Sequence, residues 1–510
     1  MKPFCRLTGV RVVVVAGALV LFVASRAAWG PVLAAQSQDE YARRQYESGL
    51  AFLAAHKYTE ALKDFDAVAS SYPNSAVADD ALLEIIRYQL EVADNVPAAQ
   101  ASTDTLLKMY PSSDSAPMAH IMAGRIVLAR GRSAGEVDTA LASFERVPRL
   151  FPGTAAVPVA IYYAGEALRL GKRPADALSR FRQVATDYPR SPWAARALLG
   201  AGRCLVLMEQ PLRALEDFQR VRLRFPAMPE AETARNWNTI LYRLYVRNPT
   251  QSPFTFNGRG LVGPGGKLKD VIAIGVAPDD TAFVANKNAV LRFDRSGTLG
   301  GTLPASGPRG IFFNRRWEPV ITLKGAIQVP GETRPMSLSV PKTDGTPRLL
   351  EEIDAGVTLS NGDYVVMDQG AKSLGRFARD GKYLGMFAQL EADRLAIDVF
   401  DDVAVLPKDH NSIAILDRTG RITTRIAERG NGYELKNPVG LAYDPLGHLY
   451  VLDRGRGAVL VFNAALKLIA TFAPPEKQPG ALRDAEALGI DSGGRLFVYD
   501  GRAERVQIFQ

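Results

Sequence analysis

The residues with the chemistry to bind a metal or act as nucleophiles are few and far apart. Histidine occurs only at His56, His120, His410 and His448, and cysteine only at Cys5 and Cys204. A catalytic zinc site needs about three protein ligands converging on one open position. Four histidines scattered along the chain do not make such a set, and His448, which begins a strand-like run, reads as a surface residue. Asp444, Asp484 and Asp491 offer oxygen ligands of the kind calcium takes. Repeated turn aspartates explain Asp444 and Asp491 equally well. There is no Gly-x-Ser-x-Gly elbow, no phosphate-binding loop and no Cys-x-x-Cys pair. No catalytic residue, metal ligand or cofactor is therefore assigned, and the chain reads as non-enzymatic.

The elements around these residues begin with an expected export signal over residues 1–35. A basic start is followed by an apolar run from Val12 to Ala24 and a small-residue stretch ending Val32-Leu33-Ala34-Ala35. The run falls short of the roughly 20 residues needed to span a bilayer as a helix. No cysteine stands just after it where a lipid-attachment site would need one, since Cys5 lies before it, so lipid attachment is not expected. Removal of the segment leaves Cys204 alone, without an intramolecular disulfide, as a small buried residue of a helix. The formal net charge is +8, and Lys2, Arg6, Arg11 and Arg26 of the signal supply four of those positives. What remains is too little for a nucleic-acid partner.

Residues 36–248 carry an internal repeat. The pairs Tyr72-Pro73, Tyr110-Pro111, Phe151-Pro152, Tyr188-Pro189 and Phe225-Pro226 recur at spacings of 38, 41, 37 and 37 residues, a solenoid period. Upstream of each pair runs a helical pattern such as Ala61, Leu62, Phe65 and Val68. Small residues recur at fixed offsets: Gly49 and Ala61, Gly165 and Ala177, Gly202 and Ala214, followed by Phe65, Phe181 and Phe218. They allow the two helices of a hairpin to approach, with the phenylalanine filling the space beyond. The third unit has Ala140 and Phe144 but places Gly124 four residues early, with the Gly131 to Gly135 loop absorbing an insertion. The second has Arg87 and Thr103 at the glycine and phenylalanine positions. On these residues the segment resembles the tetratricopeptide repeat family in its bacterial envelope form, as about five helix pairs.

That resemblance implies a concave groove that binds peptides or proteins. The offsets lining it fall on Tyr162, Glu166, Arg169, Arg196 and Arg203, whose arginines would hold a partner's acidic side chains or terminal carboxylate. Residues 36–100 hold 11 acids against 5 bases, and residues 101–250 hold 13 against 21. Some of this charge is expected to pair internally, Arg213 with Asp217 and Glu216 with Arg220, each at i,i+4.

After a linker at residues 249–253 the periodicity changes to short β-rich runs. The clearest unit starts Pro438-Val-Gly-Leu-Ala-Tyr-Asp444 and continues through Leu449 to Asp453, Ala458 to Phe462 and Leu466 to Phe472. Equivalent third-strand residues are Phe293, Val340, Phe377, Leu416, Phe462 and Phe509, spaced by 47, 37, 39, 46 and 47 residues. Six such four-stranded units make a six-bladed propeller over residues 254–510. In the turns Asp294-Arg-Ser-Gly297, Asp344-Gly345, Asp380-Gly381 and Asp417-Arg-Thr-Gly420, aspartate caps and glycine takes positive φ. These units resemble NHL repeats, least clearly in blade two, where Pro330 to Pro335 interrupts.

Members of that family bind proteins, peptides or RNA, and related propellers include lactonases and amidating lyases. With 32 bases against 30 acids the propeller is not matched to RNA. The expected fold class is therefore a helical tetratricopeptide solenoid followed by an all-β propeller. The expected function is an exported, periplasmic or secreted scaffold holding protein or peptide partners in the cell envelope. The alternative is a propeller hydrolase or lyase with a helical targeting domain. Blade six has only three strands before the chain stops, so residues 254–258 are expected to pair with Val506 to Phe509 as its fourth.

Overall fold

The structure is a computed structural model, and it describes residues 38–247 and 252–510. The expected signal at residues 1–35 and residues 249–251 of the linker lie outside these. Among the described residues no helix is long and apolar enough to cross a membrane.

Eleven helices are described: α1 (residues 38–54), α2 (Tyr58–Ser71), α3 (Ala78–Arg87), α4 (Val96–Met109), α5 (Ala116–Arg130), α6 (Ala134–Leu150), α7 (Ala156–Leu170), α8 (Pro174–Asp187), α9 (Trp193–Leu207), α10 (Pro211–Arg224) and α11 (Pro229–Leu241). Their ends follow from local chemistry. Pro174 and Pro211 open α8 and α10, where a missing N–H costs nothing. Asn95 caps α4, its side chain accepting from the Ala98 N–H at 3.1 Å. Pro189 and Pro226 stop the chain from continuing past Tyr188 and Phe225.

The described residues divide into two compact units, 38–127 with 142–157 and 128–141 with 158–247 and 252–510. In the first, Ala61, Phe65 and Val68 of α2 bury one stripe against Ala42, Ala81 and Ile85. A Cβ on Gly49 would come within 2.5 Å of the Phe65 ring, so glycine sets how closely α1 and α2 approach. Gly124 meets Phe144 in the same way despite its displaced position in sequence. Thr103 is fully buried and spends its hydroxyl on the Ala99 carbonyl at 2.7 Å.

In the second unit the propeller has six four-stranded antiparallel blades. Blades one to five cover residues 271–303, 310–337, 356–388, 392–426 and 438–472, and blade six joins residues 485–509 to Phe256–Leu261. Phe293, Phe377, Leu416, Phe462 and Phe509 lie on third strands, all fully buried. Val340 does not. It sits in a two-stranded ribbon with Pro347–Leu349, and the third strand of blade two is Ala326–Gln328. Pro330 and Pro335 cannot donate to a ladder, so the chain leaves the sheet there and returns only for Met336–Ser337.

The ring closes with the pairing expected, a few residues further along. Phe256 lies opposite Phe509 and Leu261 opposite Val506, with an irregularity between. Thr255 and Gln510 exchange two backbone hydrogen bonds of 2.9 and 3.0 Å. Phe254 is anchored nearby, its ring 5.5 Å from Phe472 and under the Arg243 guanidinium at 4.7 Å. One apolar core runs through α9, α10 and α11 into blades five and six, joining Phe218, Leu241 and Leu244 to Tyr450, Phe472 and Phe509.

Candidate partner-binding groove

Helix α7 carries Tyr162, Glu166 and Arg169 at i, i+4 and i+7, and α9 carries Arg196 and Arg203 seven residues apart, so each set shares one helix face. The structure brings most of them together. Arg169 donates to both oxygens of Glu166, at 3.3 and 2.8 Å, in a forked pair. Arg203 approaches the same carboxylate at 3.9 Å. Tyr162 packs its ring 5.0 Å from Trp193 and 5.6 Å from Phe181. Arg196 stands apart: it pairs with Glu230 at 2.8 Å, lies 4.7 Å above the Trp193 ring and leaves about half of its side chain, 48 %, in solvent.

Burial penalises the Glu166 carboxylate, but the guanidinium of Arg169, then that of Arg203, outweighs it and holds the group at about 2. Burial, then the charge of Arg169, pulls Arg203 down to about 10. Burial pushes the Cys204 thiol up to about 12, which leaves it an unreactive neutral group.

Arg169 itself is only 3 % exposed. What covers it belongs to the same chain and the same compact unit. Between the first two strands of blade four, Ala392–Ile397 and Val403–Pro407, a turn puts Phe400 against α7. The Phe400 ring lies 5.9 Å from the Arg169 guanidinium carbon and 5.8 Å from the Lys172 ammonium, within cation–π range. Lys172 pairs with Asp402 at 2.5 Å, and Arg132 donates to the Val399 carbonyl. The turn is built by Asp398, which accepts from the Phe400 and Asp402 amides at 2.8 and 2.9 Å, with Asp401 at φ 65°. Asp401 in turn accepts from the Ser360 amide and hydroxyl at 2.8 and 2.5 Å.

The residues that grip this turn besides Arg169 are Arg132 and Lys172, which the repeat offsets do not select. Arg132 lies in the insertion between α5 and α6, beside Ser133, whose amide donates to Glu136 at 2.7 Å while its hydroxyl accepts from the Glu136 amide at 3.3 Å. A Ser-x-x-Glu box after the extra residues is the signal that fixes this loop. The expected internal pairs also sort themselves. Arg220 reaches Glu216 at 3.9 Å, whereas Arg213 turns to Gln210 and Asp217 is taken by Arg182 at 2.6 Å and Arg220 at 3.0 Å.

Residues 38–200 match the model of the YfiO outer membrane lipoprotein family.

Residues 435–462 match the NHL repeat. The chain thus joins YfiO-type tetratricopeptide helices to an NHL-type propeller. No match was found among curated proteins. Solved structures that resemble it include an auxiliary nutrient binding protein from Bacteroides thetaiotaomicron, 12% identical over 50% of this chain and 76% of that one, TM-score 0.38. A gluconolactonase from Xanthomonas campestris is 18% identical over 48% and 86%, TM-score 0.36. Virginiamycin B lyase from Staphylococcus aureus is 12% identical over 48% and 82%, TM-score 0.33. Likeness at this level carries no argument about activity.

The segment after α11 also meets the propeller. Arg243 donates to the Gly494 carbonyl at 2.6 Å, and the Tyr245 hydroxyl meets His448 Nε2 at 3.0 Å. His448 is therefore fully buried and not on the surface. Its other ring nitrogen is 2.7 Å from Asp444, and Tyr450 donates to the same carboxylate at 3.2 Å. Sequence reading missed this because the covering ring arrives from 203 residues away. Asp444 and Asp491 are turn caps: Asp444 accepts from the Leu446 and His448 amides at 2.9 and 3.0 Å, and Asp491 from Gly493 and Arg495 at 3.0 and 2.8 Å. Asp484 sits apart, near Arg454 at 3.8 Å.

Proposed function

We propose that this chain is a non-enzymatic scaffold of the cell envelope. It holds protein partners through its tetratricopeptide helices and uses the propeller as a second recognition surface. The observation that carries the reading is the grip on the blade-four turn, in which Arg169 and Lys172 face the Phe400 ring, Lys172 pairs with Asp402 and Arg132 donates to the Val399 carbonyl. A groove that holds an aromatic residue followed by acids in its own chain has the chemistry to hold a similar segment from a partner. Such a segment would enter by displacing the blade-four turn or by extending along the rim at Arg196, which keeps solvent access. The YfiO match over residues 38–200 supports an envelope setting.

Photo-crosslinking from position 196 in intact cells tests this. Recovery of one envelope protein, crosslinked through an acidic or aromatic segment and lost when Lys172→Glu is added, is the expected result. Crosslinks confined to this chain would overturn it.

A further inference from the structure

Three carboxylates converge in the first unit. Asp79 and Asp80 stand in the first turn of α3, and Asp114 lies in the loop between α4 and α5. One oxygen from each lies within 4.8 Å of the others. Among the described residues no arginine, lysine or histidine forms an ion pair with any of the three. The nearby Arg87 is committed to Glu84 at 2.5 Å.

Acidic clusters on a surface are common without a ligand, but Asp79 is not on the surface. It is 5 % exposed, and its Oδ2 is buried with no hydrogen-bond partner. A buried carboxylate oxygen without a partner costs several kcal/mol unless a proton or a cation meets it. Asp80 is held in place by the Ser115 hydroxyl, which donates to its Oδ1 at 2.8 Å. The half-buried Asp80 and the exposed Asp114 leave the cluster open on one side, which gives an ion a way in.

We infer that Asp79, Asp80 and Asp114 form a calcium site that clamps the start of α3 to the loop before α5. The donors are all hard oxygens, with neither imidazole nor thiolate among them, which selects calcium over zinc or copper. Oxygens within 4.8 Å of one another need only a small side-chain shift to share one ion at about 2.3–2.6 Å. Water would complete the remaining positions on the open side. The ion would neutralise the like charges that now face one another and satisfy the buried Asp79 oxygen. Repeat two lacks the Gly–Phe contact of its neighbours, and the clamp would add rigidity there.

Titration calorimetry of the chain from residue 36, stripped with chelator and then given calcium chloride, tests the site. One calcium per chain is expected, with a dissociation constant of about 10 µM to 1 mM, and a melting temperature raised by about 2–8 °C at saturation. Asp79→Asn keeps the side-chain shape and should weaken binding at least about tenfold, a loss of about 1.4 kcal/mol. Asp114→Asn, at an exposed position, should do the same if the first variant folds poorly. Absence of both heat and melting shift up to about 10 mM calcium, well beyond the weakest sites of this class, would overturn the assignment. Binding of equal strength in both variants would also overturn it, because the ion would then sit elsewhere.

Discussion

The Phe400 ring stands 5.9 Å from the guanidinium carbon of Arg169, near the end of α7. Two segments separated by more than two hundred positions thus complete one another: Arg169 near the end of α7 and Lys172 just beyond it supply the cations, and the blade-four turn supplies the aromatic face and the Asp402 carboxylate.

Truncation at Phe400 should loosen this contact without unfolding the propeller. Loss of the ring removes two cation–π contacts worth about 0.5–2 kcal/mol each. Phe400→Ala is expected to speed amide exchange at residues 398–402 and to shift the urea midpoint by an amount equivalent to about 1–2 kcal/mol. Unchanged exchange in the turn would show that the ring does not hold it.

The Glu166–Arg169 pair should behave as a buried pair. Arg169→Met strands a buried carboxylate and should cost about 3–5 kcal/mol, whereas Glu166→Leu with Arg169→Met should recover most of the loss. Because Glu166 is held at about 2, below the ordinary glutamate value near 4.3, its contribution is fully present above about pH 5. That contribution is lost as the pH falls through about 2. Melting curves of the wild type and Glu166→Gln should therefore converge between pH 5 and 2; a constant gap would contradict the pairing.

The blade-four turn carries the opposite dependence. Burial, and then the nearby charge of Asp402, push Asp398 up to about 7. A raised acid stabilises the fold below its ordinary value near 3.9, and that contribution is lost as the pH rises through about 7. Proteolysis at the turn should quicken from pH 6 to 8, and Asp398→Asn, which still accepts the two amide hydrogen bonds, should abolish the change.

Ring closure gives a prediction at Gly260. A Cβ there would lie 2.6 Å from the Val506 carbonyl oxygen, so Gly260→Val should break the pairing of Phe256–Leu261 with the final strand, at about 1–3 kcal/mol. Exchange protection of the Val506 and Ile508 amides should fall while that of blade four stays. Equal protection in both blades would show that closure does not depend on this strand.

Much of this architecture was legible because it is written in local periods. The Gly–Phe offsets gave the helix hairpins, and even Gly124, displaced in sequence, finds Phe144 once the insertion before α6 is folded. Aspartate and glycine gave the blade turns: Asp294 accepts from the Ser296 and Thr298 amides at 2.9 Å, and Gly297 takes φ 88°. Val340 was misplaced because two prolines disrupt the blade-two period. His448 and Arg169 were read as exposed because their covers, Tyr245 and Phe400, come from distant segments. A short mixed-polarity turn such as Asp398-Val-Phe-Asp-Asp402 has no period, so nothing in it announces that it docks on a helix face.

The most direct test is binding of a hairpin peptide of residues 392–407, which carries the blade-four turn, to the chain bearing Phe400→Ala and Asp402→Ala. The groove account predicts saturable binding at least about tenfold tighter than to the wild type, about 1.4 kcal/mol, because the resident turn no longer competes. It also predicts loss of that binding when Lys172→Glu is added. Equal binding to variant and wild type, or none to either, would contradict the claim that this groove selects an aromatic residue followed by acids.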